Sequence, residues 1–187
     1  MFQNLQLLIN RYLSLTGCSR SNVVYKNIST FLFSCIIGLV SNLIIIANPF
    51  YYNHDSVTTV SNNADWLLSQ GKWFVTPLSS FYGEYNIHFI ASILGIICFA
   101  LAATVFVTVF GVNKTSTKWL IGALFTSFPS VATCMLYHSA NYFGGAFLLA
   151  VCGSCMMLQE SKVINVFGII LMCLSIGAYQ ANIGVNT

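Results

Sequence analysis

Apolar residues in this chain gather into long runs separated by short polar breaks. A hydrocarbon core of about 30 Å takes roughly 20 residues of helix to cross. By that measure the runs at residues 29–47, 87–112, 119–137, 142–158 and 163–183 predict five membrane spans. Asn48 and Pro49 end the first. Pro129 lies inside the third, where its missing N–H predicts a kink. The last three runs are joined by breaks of a few residues, which predicts antiparallel neighbours. The predicted fold class is all-α: a polytopic membrane helix bundle of about five spans, with a long loop at residues 48–86 between the first two.

The segment before the first span has a different pattern. Phe2, Leu5, Leu8, Ile9, Tyr12 and Leu13 recur at helical spacing, and Thr16–Gly17 end the stripe. Residues 1–27 therefore read as an amphipathic segment lying in the membrane interface, with residues 28–187 forming the membrane domain. The leader is too long, and lacks the small-residue site, for a cleaved signal peptide.

Basic residues set the orientation. Arg11, Arg20 and Lys26 precede the first span, Lys114 and Lys118 separate the second and third, and Lys162 separates the fourth and fifth. Alternating spans put all six on one side and Lys72 alone on the other. The excess of basic residues marks the cytoplasmic side, so the N-terminus is expected in the cytoplasm and the 48–86 loop outside an inner membrane. The sequons at Asn27 and Asn113 then fall on the cytoplasmic side and are discounted.

Composition agrees with this pattern. Of 187 residues, 57% are hydrophobic and 6% charged, against about 25% charged in a soluble domain. A net charge of +3 without a basic stripe gives no basis for nucleic-acid binding. Six of the seven cysteines sit in apolar runs and read as small hydrophobes. Cys152 and Cys155 have redox-motif spacing, but no His or Lys stands near them in sequence to lower a thiol pKa. Small residues at Ala91 and Gly95, at Ala146, Ala150 and Ser154, and at Gly177 and Ala181 predict close helix approaches. Asn42, a polar group within the first span, predicts an interhelical hydrogen bond.

Of four carboxylates, three fall in the outer loop: Asp55, Asp65 and Glu84. His54 adjoins Asp55, His88 opens the second span and His138 closes the third, so all three histidines are expected at the same face. Titratable groups converging on one membrane face form the pattern of a site. Asp55, a few residues past the first span, could take a proton from an acceptor hydroxyl; a solvated loop acid is the plainer alternative. Asp65 falls in a predicted short helix, residues 64–70, stopped by Gly71 and carrying Trp66, Leu67, Trp73 and Phe74 as an apolar face. Lys72 is either a point charge for a phosphate or a snorkelling interfacial lysine. Glu84 could be a boundary residue. No phosphate-binding loop, dinucleotide fingerprint or serine elbow is present. Ligation of a divalent metal by His54, Asp55 and His138 has no spacing to support it, and no cofactor is expected.

Tyr51–Tyr52–Asn53–His54–Asp55, then Asp65–Trp66 and Gln70–Gly71–Lys72–Trp73, resemble the first outer loop of the type II-like glucosyltransferases, polytopic enzymes related to the serotype-converting O-antigen glucosyltransferases of phages. Leu174–Ser175–Ile176–Gly177–Ala178–Tyr179–Gln180 resembles the family's Tyr-Gln element in a late span, and Phe128–Pro129 and Tyr137 fit its middle spans. The similarity covers most of residues 30–187. It implies a GT-C-type fold, a polyprenyl-phosphate-glucose donor, and a lipid-linked or surface polysaccharide such as the O-antigen of lipopolysaccharide as acceptor. By carry-over Asp55 would be the base or orienting acid, with His54 where the family often has a first acid. Lys72, in place of an Arg, would meet the donor phosphate beside Trp73. Tyr179 and Gln180 would line or support the site, with Glu84 and His138 contributing from the same face. Asn141 stands where the family pattern has an acid. Family chains run longer, so the resemblance also implies an N-terminal portion, a truncated product or an inactive remnant. A transporter or flippase subunit is the other class considered; it would place charged residues at mid-membrane, whereas the acids here lie in a loop.

Overall fold

The first apolar run folds as part of a longer helix. In the computed structural model, which describes residues 20–48, 71–75, 88–135 and 140–178, helix α1 spans Arg20–Ala47. It starts nine residues before the predicted span because hydropathy marks where lipid contact begins, whereas helical hydrogen bonding continues through polar residues. Asn48 closes it, donating both its backbone N–H and its Nδ2 to the Ile44 carbonyl, at 3.1 and 2.9 Å. The amphipathic segment predicted over residues 2–15 and the short helix over 64–70 lie outside the described residues.

Helix α2 spans His88–Val109. Gly111 ends it at φ 61°, with Gly111 N–H bonded to Thr108 O (3.3 Å) and Val112 N–H to Val107 O (3.2 Å). This is a Schellman stop, and only the left-handed glycine permits it without strain. Helix α3 spans Thr115–Ser127 and helix α4 Pro129–Met135. The kink expected at Pro129 is a full break. Phe128 is extended (φ −61°, ψ 142°), the conformation that a following proline ring forces on its predecessor. Helix α5 spans Ala140–Met157 and helix α6 Lys162–Ala178. All six elements among the described residues are helices.

α1 at Asn27–Ala47 and α2 are long and apolar enough to cross a membrane, and α5 and α6 contribute shorter apolar helices. The paired contacts fix chain direction. Asn27 meets Lys118 and Asn42 meets Thr126, so α1 and α3 run parallel. Ile45 meets His88 while Gly38 faces Ile96, so α1 and α2 run antiparallel. Gly95 meets Gly144 and Phe99 meets Phe147, so α2 and α5 run parallel. Gly153 meets Gly168 and Ser175 donates to the Ala146 carbonyl (2.8 Å), so α5 and α6 run antiparallel. The up-and-down alternation expected of successive spans is therefore present in the packing.

One neighbour relation differs from expectation. α5 and α6 are antiparallel neighbours as anticipated, but the broad face of α3 lies on α1 and α2. α3 touches α5 through the Phe125–Phe147 ring pair, 5.6 Å between centroids, and α4 supplies the remaining contact. Shape explains it. A Cβ at Gly122 would collide with Ser34, and one at Gly38 would come within 2.8 Å of Ile96 and 3.0 Å of Thr126. These bare positions let α3 sink onto α1 in a way that loop length does not encode.

Among the described residues, three apolar clusters pack the bundle. Ile46, Ile96, Phe99, Val131 and Met135 tie α1, α2 and α4. Ala102, Val151 and Cys155 tie α2 to α5, with Phe106, Phe125 and Phe147 packed against them. Val75, Ala146 and Ala178 bind the short described piece of the long loop to α5 and α6.

Candidate functional site

Gly71–Val75 is the described piece of the 48–86 loop, and it docks at one end of the bundle. Gly71 takes φ 74°, a left-handed turn that suits glycine. The chain then curls so that Val75 N–H bonds the Lys72 carbonyl at 3.2 Å. Phe74 N–H reaches across to the Gly177 carbonyl in the last turn of α6, at 2.9 Å. Last-turn carbonyls have no partner within their own helix, so the loop supplies a donor that α6 cannot. The Trp73 indole covers Gly177 closely enough that any Cβ there would overlap it. Val75 is buried between Ala146 and Ala178, with Phe74 and Tyr142 alongside.

This end of the bundle also carries a histidine. His88, 6% exposed at the start of α2, has Nε2 3.4 Å from the Ile45 carbonyl in the last turn of α1. The opposite end holds Lys114, Lys118 and Lys162, with the buried Lys118 ammonium donating to Asn27 Oδ1 at 3.2 Å. Lys72 thus sits at the far end of the helices from these three lysines, as the charge pattern along the chain predicts.

Of the residues proposed from sequence, Lys72 and Trp73 fall in the described structure, adjacent and at the docked segment. Lys72 is half-buried, and that burial pushes its ammonium pKa below the usual lysine value. Trp73 stays 47% exposed while one side of its ring meets α6, and it packs edge-on against Phe74 at 5.9 Å. His54, Asp55, Asp65, Glu84, His138, Tyr179 and Gln180 lie outside the described residues. Ala178, against which Val75 packs, immediately precedes Tyr179.

The residues that sequence reasoning missed are receivers of this contact. Gly177 reads in the sequence as a small-residue packing position, yet what it admits is an indole from a segment about a hundred residues earlier. Tyr142 reads only as the start of a span, yet it flanks the docked segment. The signal available was the adjacency of Gly177 to the Tyr-Gln pair.

The described residues form an all-helical bundle in which two helices are long and apolar enough to cross a membrane, the architecture of a helical membrane bundle, with an aromatic and basic segment pinned at one end. The chain belongs to the GtrII glucosyl transferase family, whose model matches residues 43–187. The match starts near the end of α1 and includes both Lys72–Trp73 and Tyr179–Gln180. No curated protein and no solved structure matches the chain.

Proposed function

We propose that this chain transfers glucose from a polyprenyl-phosphate donor to a lipid-linked or surface polysaccharide, as in O-antigen modification, at the outer face of the inner membrane. The observation that carries the reading is the docking of Gly71–Val75 on the C-terminal turn of α6. The described parts of two family-like segments, Gly71–Trp73 and Leu174–Ala178, thereby meet at the end remote from Lys114, Lys118 and Lys162. The protein spans the membrane several times with its N-terminus in the cytoplasm.

In this reading Asp55, oriented by His54, accepts the proton of the acceptor hydroxyl as its oxygen attacks the anomeric carbon. The bond from that carbon to the phosphate oxygen breaks, and polyprenyl phosphate leaves with the electron pair. Lys72 faces the phosphate, where negative charge grows as the bond lengthens; at a half-buried site that charge is worth more than in water. Trp73 offers its exposed face to the sugar. Asp65, Glu84, His138, Tyr179 and Gln180 complete the donor and acceptor contacts. The prenyl chain lies in lipid, so the donor is bound from the membrane.

Membranes bearing the chain, supplied with glucosyl polyprenyl phosphate and an O-antigen acceptor, test this directly. Transfer that disappears in Asp55→Asn and persists in Glu160→Gln, at the opposite end, supports the reading. Transfer unaffected by Asp55→Asn removes the site assignment.

A further inference from the structure

We infer that Gly177 is a positioning residue: its bare Cα seats the Trp73 indole, and the seat holds Lys72 and Trp73 where the donor binds. The inference rests on the functional reading above and deepens it. Three observations meet at this point. A Cβ at 177 would overlap Cε2, Cζ2 and Nε1 of Trp73, so the indole occupies the volume that a side chain would need. The Gly177 carbonyl accepts from Phe74 N–H at 2.9 Å, so the residue holds the segment through its backbone as well. Val75 and Ala178, the next residue along on each side of the contact, are both buried against Ala146. Lys72 and Trp73 therefore have the position of α6 imposed on them.

The clash falls on a rigid bicyclic ring, not on the end of a flexible chain. Gly177→Ala must then move Trp73 or part the two segments. The same change favours the helix itself, since alanine is the better helix former. A merely structural glycine would give a neutral or stabilised α6 with an undisturbed loop. A seat gives an intact helix with a displaced loop.

The test uses the full chain in detergent or membranes, with Trp66→Phe and Trp119→Phe so that Trp73 alone emits. Gly177→Ala is compared with Gly145→Ala, where a Cβ meets nothing within 4 Å. Gly177→Ala should raise acrylamide quenching of Trp73 and raise KM for glucosyl polyprenyl phosphate about tenfold with a smaller change in kcat, within the range that misplacement of a binding group produces. Gly145→Ala should move neither. Unchanged quenching in Gly177→Ala overturns the seat. Raised quenching with an unchanged KM overturns its role in donor binding. A parent chain that transfers no glucose overturns the functional reading by itself, and the quenching comparison then still decides the seat.

Discussion

Asn42 Nδ2 donates to the Thr126 carbonyl at 3.1 Å, one turn before the point where Pro129 breaks the third apolar run. The same amide also donates to the Gly38 carbonyl at 2.8 Å. Thr126 lies in the last turn of α3, where carbonyls lack an intrahelical partner. In an apolar surrounding such a group is costly, and a side chain from a neighbouring helix is one of the few remedies. The break in one helix and the asparagine in another thus explain each other. Asn42 is 1% exposed, so water does not compete for the bond.

Asn42→Ala should lower stability by about 1 kcal/mol, the scale measured for interhelical hydrogen bonds in membranes. Pro129→Ala, by letting the helix run on, should give the Thr126 carbonyl a backbone donor. The loss from Asn42→Ala should then shrink in the Pro129→Ala background. A double-mutant cycle by denaturant titration reads the coupling, and additive losses would separate the two features.

The α5–α6 crossing rests on a pair of glycines. A Cβ at Gly153 would lie 2.9 Å from the Gly168 carbonyl, and one at Gly168 would lie 2.9 Å from the Gly153 carbonyl. The obstacle is backbone on each side, which cannot rotate away. Gly168→Ala should therefore cost about 1–3 kcal/mol, as overpacking does, despite the better helix propensity of alanine. Gly145→Ala, with open space at its Cβ, should be neutral or stabilising. Thermal unfolding of both variants in one detergent makes the comparison.

These contacts mark where sequence reading succeeds and where it stops. The five apolar runs, the interruption at Pro129 and the bond made by Asn42 are local or compositional facts, so they were legible. The extension of α1 back to Arg20 was not, because polar residues carry helical hydrogen bonds without a hydropathy signal. Nor was the seating of α3 on α1, since it depends on Gly122 meeting Ser34 and Gly38 meeting Thr126 in three dimensions. At the site, Lys72–Trp73 and Tyr179–Gln180 were each recognisable as segments. The contact of Trp73 with Gly177 was not, because nothing in either segment specifies a partner so far along the chain.

Lys72 gives a pH signature whose sign can be worked out. Its ammonium is charged when protonated, and burial lowers its pKa in the folded chain below the ordinary 10.5. Between the folded and unfolded values the unfolded chain binds more protons, so stability rises with pH there. Below the folded value the burial penalty is fully present. Lys72→Met should therefore stabilise the protein at neutral pH, and the gain should fade as pH climbs toward the ordinary lysine value. The same substitution removes the cation assigned to the donor phosphate, so transfer should fall while stability rises. Melting curves and transfer assays on one preparation measure both; a loss of both together would make Lys72 a structural residue.

The acid assignment makes the sharpest demand. A carboxylate acting as general base contributes about 10²–10⁴-fold to a rate, so Asp55→Asn should cost transfer by that factor with little change in donor KM. An acid that only orients the donor would instead raise KM. His54→Gln, keeping a hydrogen-bonding side chain beside Asp55, should lower the rate by less than Asp55→Asn, because orientation survives where the base does not. Glu160→Gln, exposed at the turn between α5 and α6, should leave transfer unchanged. Steady-state assays across this set, with the acceptor saturating, distinguish base, orienting acid and bystander. A rate insensitive to Asp55→Asn but abolished by Asp65→Asn or Glu84→Gln would transfer the catalytic role to another acid of the same loop, and the Lys72–Trp73 contact with α6 would keep its place as the donor side of the site.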